Sequence, residues 1–411
     1  MLLSNLDGES QGVYYLFLAI ASTQAFFEMG LGLITTIRAS HEWIHLRIAS
    51  DGSVEGDELA RARLRKLCLI SLKFTLTVAL AFLAICIIVG TQLAKIEDTS
   101  SGDQLDAYIK YMVLITGIMI LNSLIYVVEG CNNVGGVAIF RLIQSIIGAA
   151  TLWLSLQLGD GIDSLVFQAS SVLLCAVVYI IAFKRKFFSS IYRGSLINDL
   201  SWKKDFLPYQ WRLAVQSISN LLAFPFFQFL SFKMLGPTES GKLGLTLQIA
   251  LGMQGLSLVF INAKVPHLSM LAARGEVARL KREWTIQLTQ SLTFMFACFL
   301  FYMAGLAVIA WNFETYYIRV LGARETFIFF AGLLATTYIS GVAAITRAHK
   351  VEKFTVIGMC AGLGYGSLSA ALCEYFGNAG IAFAYATVTL LFVLPASYHI
   401  MNQFTKDRLV T

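Results

Sequence analysis

The residues most able to do chemistry in this sequence are ionisable groups inside apolar surroundings. Glu28 stands in the apolar run 12 to 37, sixteen residues from one end and nine from the other, too deep for a short carboxylate to reach the headgroups. Such a group is either a cation or proton site or a carboxylate that packs helices together. Arg141 and Lys73 lie about five or six residues inside their runs, roughly 8 to 9 Å deep at about 1.5 Å per residue. Their stems can reach the surface, and the guanidinium of Arg141 also suits a phosphate or diphosphate. Lys264, beside Pro266 and His267, and Arg212 sit near helix ends, where a cation anchors the helix or faces an inner cavity. Gln228 and Gln248, with Asn220 and Gln254, either join helices or line a hydrophilic space. The candidate substrate-cavity residues are therefore Arg141, Lys73, Lys264, Arg212, Gln228 and Gln248, and the candidate ion-coupling residue is Glu28.

No constellation of enzymatic residues accompanies them. The five histidines (His41, His45, His267, His349, His399) are scattered, and the seven cysteines form no CxxC pattern, so neither a catalytic set, a metal site nor a cofactor is expected. GPTESGKL, Gly236 to Leu243, fits the spacing of a phosphate-binding loop, but Leu243 replaces the hydroxyl residue and no strand precedes it. GESQG, Gly8 to Gly12, lacks the strand that a nucleophile elbow requires. Glu129, opening the turn EGCNNVGG, reads as an interfacial polar residue.

The elements that position these groups are dictated by composition. The chain has 411 residues, 57% hydrophobic and 14% charged, against about 45–50% and about 25% in soluble domains. Disorder, collagen and a disulfide scaffold are excluded. A bilayer core about 30 Å thick needs about 20 apolar residues per helix. Eleven runs qualify: 12–37, 67–90, 109–129, 136–157, 163–183, 209–235, 241–266, 287–311, 326–345, 354–375 and 379–402. Pro225 predicts a kink within its run. With the N-terminus outside and the C-terminus cytoplasmic, 22 of the 31 Lys and Arg fall in inner loops and six in outer loops or at outer helix ends, the asymmetry that orients membrane proteins.

The chain also repeats itself. Gly12 to Ser40 lies without a gap over Gly241 to Ser269 at an offset of 229, with six identities (Gly12, Leu16, Leu18, Ile20, Ala21, Ser40). A basic loop follows each copy, GDELARARLRK from Gly56 and GEVARLKREW from Gly275, then four apolar runs at matching spacing. The expected fold is an all-α polytopic membrane protein of two pseudo-symmetric lobes related by a parallel repeat, with the first helix of a six-plus-six plan missing. The expected domains are an N-terminal lobe, 1–183, a cytoplasmic linker, 184–208, and a C-terminal lobe, 209–411. The linker, KRKFFSSIYRGSLINDLSWKKDFLP, either lies on the anionic inner leaflet or is a solvated connector.

The segment DGESQGVYYLFLAIASTQAFFEMGLGLITTIRAS, from Asp7, resembles the second-helix region of polysaccharide-biosynthesis membrane proteins, the Wzx-type lipid-linked oligosaccharide flippases. LGPTESGKLGLTLQI from Leu235 and KVPHLSMLAARGE from Lys264 are similar to that family's second-half counterpart. The resemblance, spread over most of the chain on loose patterns, implies a transporter of the multidrug, oligosaccharidyl-lipid and polysaccharide exporter superfamily in a bacterial inner membrane. It implies no enzyme activity. The implied substrate is a polyprenyl-diphosphate-linked oligosaccharide, flipped from the inner to the outer leaflet by alternating access. The implied partners are that glycan, membrane lipid, a polysaccharide polymerase and other assembly proteins, and no nucleic acid. The competing readings are a cation-coupled drug or metabolite antiporter and a membrane glycan transferase, for which the loops offer no acidic or histidine cluster.

Overall fold

The computed structural model describes residues 2–50, 52–96, 102–193, 201–202, 206–348 and 353–408. Lys203, Lys204 and Lys350 of the basic count, and the side chain of Arg212, lie outside the described residues. The first half runs through α1 (Leu2–Asn5), α2 (Gly8–Ser22), α3 (Gln24–Glu28) and α4 (Leu31–Trp43) into a small antiparallel sheet, β1 (Leu46–Ile48) with β2 (Val54–Gly56). Then come α5 (Glu58–Ile96), α6 (Gly102–Gly130), α7 (Val134–Leu158), α8 (Ser164–Val178), which ends in a π-helical turn, and α9 (Arg185–Tyr192). The second half holds α10 (Leu207–Leu221), α11 (Phe224–Leu235), α12 (Pro237–Asn262), α13 (Val265–Ala273), α14 (Val277–Asn312), α15 (Glu314–Tyr317), α16 (Ala323–Ala348), α17 (Thr355–Thr387) and α18 (Leu394–Arg408).

Among the described residues, nine helical stretches are long and apolar enough to cross a membrane, or ten if the bent pair Gly8–Glu28 and Leu31–Trp43 is one span. The last of the nine, Thr355–Gln403, has 49 residues. As a straight helix it would reach about 73 Å at about 1.5 Å per residue, more than twice the hydrocarbon thickness. It instead turns back at Gly377 (φ 57°, ψ −140°), and the Tyr365 hydroxyl meets Thr389 Oγ1 at 2.9 Å across the two arms. With the arms counted separately and the bent pair taken as one span, the described residues hold eleven stretches long and apolar enough to cross. Large apolar side chains stay exposed along the flanks, among them Leu80 and Ile88 on α5, Ile139 and Leu142 on α7, and Phe301 and Trp311 on α14. Their solvent is lipid.

The order and lengths of the elements repeat. α5 has 39 residues and α14 has 36; α6 has 29 and α16 has 26. The β1–β2 hairpin has no counterpart, because only a short turn, Arg274–Glu276, separates α13 from α14. Where a proline kink is expected, the helix breaks at Leu222 and Ala223, and Pro225 enters the first turn of α11. Its missing N–H costs nothing there.

Two compact units form, Met1–Leu6 with Ile20–Ser217 and Asp7–Ala19 with Ile218–Thr411. In unit 1, Leu64, Leu67 and Cys68 of α5 pack with Val127 and Val128 of α6 and with Phe187, Phe188 and Ile191 of α9. The stretch expected as a linker thus begins as a helix whose apolar face is spent inside unit 1 rather than offered to lipid. Val54 N–H donates to Ser190 Oγ (2.9 Å), which ties the hairpin to α9. In unit 2, Phe227, Leu243, Phe329, Phe330 and Tyr385 centre one cluster, and Leu268, Trp284 and Ile345 centre another.

Candidate functional site

The first span is interrupted in mid-run. Thr23 Oγ1 donates to the Ile20 carbonyl (2.6 Å), α3 makes little more than one turn, and Met29 (φ 47°, ψ 38°) and Gly30 (φ 68°, ψ 17°) are both left-handed. The two parts of the span are bent by 44°. A left-handed methionine costs about 1–2 kcal/mol, so surrounding packing must hold it. Leu213 of α10 supplies that packing: a Cβ on Gly30 would lie 2.4 Å from Leu213 Cδ1. The break leaves carbonyls at the C-terminus of α3 without helical donors, and Glu28 is the last residue of that helix.

Tyr126 on α6 donates its hydroxyl proton to Glu28 Oε2 at 3.1 Å. One turn further along α6, Glu129 accepts from the Arg141 guanidinium of α7 at 2.9 Å, and the same guanidinium lies 5.7 Å from the centre of the Tyr126 ring. Arg141 therefore combines an ion pair with a cation–π contact. The ordered set is two carboxylates and one guanidinium bridged by a phenol, one negative charge in excess when both carboxylates are ionised. The Arg141 side chain is 45% exposed, so its remaining donors can meet a ligand. Chemically, the cluster can take up one monovalent cation at Glu28 and present a guanidinium fork to an anion.

Glu28 and Arg141, expected separately, are brought together. Glu129 is a member of the set, and Tyr126 was not singled out in the sequence. Its signal was available, because Tyr126 and Glu129 are three apart on a helix and share a face. The other candidates lie elsewhere. Lys73 is exposed on α5 and Lys264 is exposed between α12 and α13, neither in an ion pair among the described residues. Gln248 is exposed on α12. Gln228 is buried and donates to Ser240 O (2.8 Å) and Ser240 Oγ (2.6 Å), holding α11 to α12. Among the described residues no group of three His, Cys, Asp or Glu could hold a metal. A groove of about 630 Å³ beside Phe260, Thr289, Gln290, Thr293 and Phe294 lies in unit 2, carries no charged side chain and is not part of this site.

Unit 2 has a polar cluster of its own, built on residues the sequence did not single out. Arg319 donates to Asp7 O (2.8 Å) and Gln11 Oε1 (2.7 Å), and Gln11 Nε2 donates to Gly241 O (2.9 Å). The Ser10 contacts hold the Asp7 carboxyl below its ordinary value.

The site thus sits in an arrangement of long, repeated, apolar helices. No known family profile matches the sequence, and no curated protein matches it. Solved structures do. A multidrug resistance MATE family transporter of the MOP superfamily, in an inward-facing conformation, superposes with a TM-score of 0.71 at 14% identity, covering 99% of this chain and 93% of that one. A MOP superfamily transporter from Pyrococcus furiosus Vc1 gives 0.62 at 13% identity, over 99% and 91%. The lipid II flippase MurJ, in an inward closed conformation, gives 0.56 at 13% identity, over 96% and 86%. At these identities the likeness is one of fold alone.

Proposed function

We propose that this protein flips a polyprenyl-diphosphate-linked oligosaccharide from the inner to the outer leaflet of a bacterial inner membrane by alternating access, for surface polysaccharide biosynthesis. The observation that carries the reading is Arg141, a half-exposed guanidinium inside an apolar run, steadied by Glu129 and the Tyr126 ring. A fixed fork of donors suits a diphosphate better than a flexible ammonium does. The fold shared with a lipid II flippase supports a lipid-linked substrate. The test is a deletion strain assayed for lipid-linked oligosaccharide at the inner leaflet. Accumulation that wild type reverses and Arg141→Ala does not is expected; full reversal by Arg141→Ala removes Arg141 from the site.

A second reading, a cation-coupled antiporter for drugs or metabolites, is favoured by Glu28 and by the unbalanced negative charge of its cluster. The two readings share a coupling role for Glu28. Transport in proteoliposomes by Glu28→Gln is expected to lose its dependence on an imposed ion gradient; a gradient response equal to wild type defeats that role.

A further inference from the structure

One side of α14 in unit 2 carries a cation, then hydroxyl and amide groups, then apolar side chains. Arg282, Thr285, Thr289, Gln290 and Thr293 recur at spacings that keep them on one side of a helix. Leu300 and Phe301 continue that side and are exposed. Thr285, Thr289, Gln290 and Thr293 line the groove of about 630 Å³ together with Phe294 and, from α12, Phe260. The two rings stand 5.6 Å apart. Threonines elsewhere in the long helices return their hydroxyl to the carbonyl four residues back, as Thr77, Thr151 and Thr336 do. Thr285 likewise donates to Lys281 O (2.8 Å). The side chains of Thr289, Gln290 and Thr293 make no hydrogen bond among the described residues, although α14 is apolar enough to cross a membrane. In hydrocarbon such groups have no water to turn to, and each unmet one is costly.

The register of the two helices places the cations. Ser291 Oγ of α14 donates to Ser257 O of α12 (2.7 Å), and Leu288 and Ile261 both lie against Gly341. α12 and α14 therefore run antiparallel, and Lys264, just past the end of α12, falls at the level of Trp284. Lys264 and Arg282 thus stand at the same end of the groove. Both are exposed, and neither is in an ion pair among the described residues; Lys281 and Glu283, which flank Arg282, offset each other in charge. From Arg282 the first hydroxyl of the groove is about 4.5 Å along the axis, against a headgroup layer about 5–8 Å deep. The groove itself holds no charged side chain, so its occupant is neutral there and accepts hydrogen bonds from hydroxyl and amide donors. A polyprenyl chain or an apolar helix of a second copy offers no acceptor, and a free anion leaves the groove unfilled. A diacyl phospholipid supplies a phosphate, ester carbonyls and acyl chains in the observed order.

We propose that this groove is a binding site for one diacyl phospholipid. Its phosphate lies at Arg282 and Lys264, its ester carbonyls accept from Thr289, Gln290 and Thr293, and an acyl chain runs along Phe260, Phe294 and Ala297. The site is independent of what the protein transports and of any role of Glu28.

The test uses the full chain, delipidated in detergent, and phosphatidylglycerol carrying a diazirine in one acyl chain. Photolysis is expected to place label chiefly on Phe260 and residues 285 to 300, as mapped by mass spectrometry, and unlabelled phosphatidylglycerol to remove it. Thr289→Val with Gln290→Leu is expected to reduce that label at least fivefold, and so is Arg282→Gln with Lys264→Gln. Label on the exposed flank of α7, at Ile139 and Leu142, is expected to stay unchanged in both. All four side chains are exposed, so both variants are expected to keep the wild-type size-exclusion profile. Equal label on α7 and α14 in the unaltered protein, or wild-type label in the folded Val/Leu variant, overturns the site. Competition by diacylglycerol as strong as that by phosphatidylglycerol overturns the phosphate contact, and competition by inorganic phosphate alone overturns the ester contacts. Displacement by a polyprenyl diphosphate at equal concentration makes the groove a substrate subsite, and protein–protein adducts in place of lipid adducts make it a contact between copies; either overturns the phospholipid.

Discussion

At the scale of single residues, the cluster around Tyr126 separates two contributions of one side chain. The hydroxyl reaches Glu28 and the ring supports Arg141. A hydrogen bond to a charged group is worth about 1.5–3 kcal/mol, which is about tenfold to a hundredfold in an equilibrium constant. Tyr126→Phe removes the hydroxyl alone and is expected to shift the ion concentration for half-maximal transport by about tenfold, with protein yield unchanged. Arg141→Lys keeps the charge but loses the planar fork and weakens the ring contact. It is expected to reduce substrate-dependent transport about tenfold in proteoliposomes, while leaving the response to the ion gradient in place.

Among elements, the broken first span is held open by tight packing rather than by its own propensity. Gly30 combines a positive φ with contact to Leu213, so Gly30→Ala meets both strain and a clash. It is expected to lower the melting temperature in detergent by several degrees, corresponding to about 1–3 kcal/mol. Part of that loss should return in Gly30→Ala/Leu213→Ala, because residues in contact are not additive. Loss equal to the sum of the single variants would mean that Leu213 does not hold the break. The opposite end of the same span is pinned by close approach. A Cβ on Gly12 would lie 1.9 Å from the Pro237 carbonyl oxygen, and a Cβ on Gly241 would lie 3.0 Å from Gly12 N. The glycines matched by the 229-residue repeat are thus packed against each other, which gives that weak sequence match a physical reason. Gly12→Val is expected to reduce folded yield sharply, as monitored by size-exclusion profile.

For the whole molecule, the boundaries of the compact units fall inside helices. The chain passes from unit 2 to unit 1 within α2, and back within α10. Residues 7–19 are secured in unit 2 by Arg319, Gln11 and the Gly241 carbonyl. Arg319→Ala is expected to raise deuterium uptake at residues 8 to 12 while uptake along α6 stays unchanged. Acid acts in the same sense. The Asp7 carboxyl lies below its ordinary value of 3.8 because of its Ser10 contacts, so its stabilisation is present above that pH. It is lost as pH falls through the lower folded value, and protection at residues 8 to 12 is expected to fall with it.

The apolar helices, their repeated order and the half-buried carboxylate of Glu28 within one of them were legible in the sequence, because bilayer thickness and the cost of burying charge act on single segments. The partnership of Glu28 with Arg141 was not. Glu28 and Arg141 are 113 positions apart, and only the packing of α3, α6 and α7 puts Tyr126 between them. Gln228 shows the converse: its type and place fitted a cavity, but Ser240 meets its amide N–H. The stretch from Lys184 read as a connector because basic residues mask the apolar face of α9, which has meaning only where α5 and the hairpin receive it. Composition and spacing alone determined that this chain is a multi-pass membrane protein and which residues are costly there. Tertiary structure decided which of those residues meet, since pairing across helices depends on rotation and depth, quantities that sequence separation does not encode.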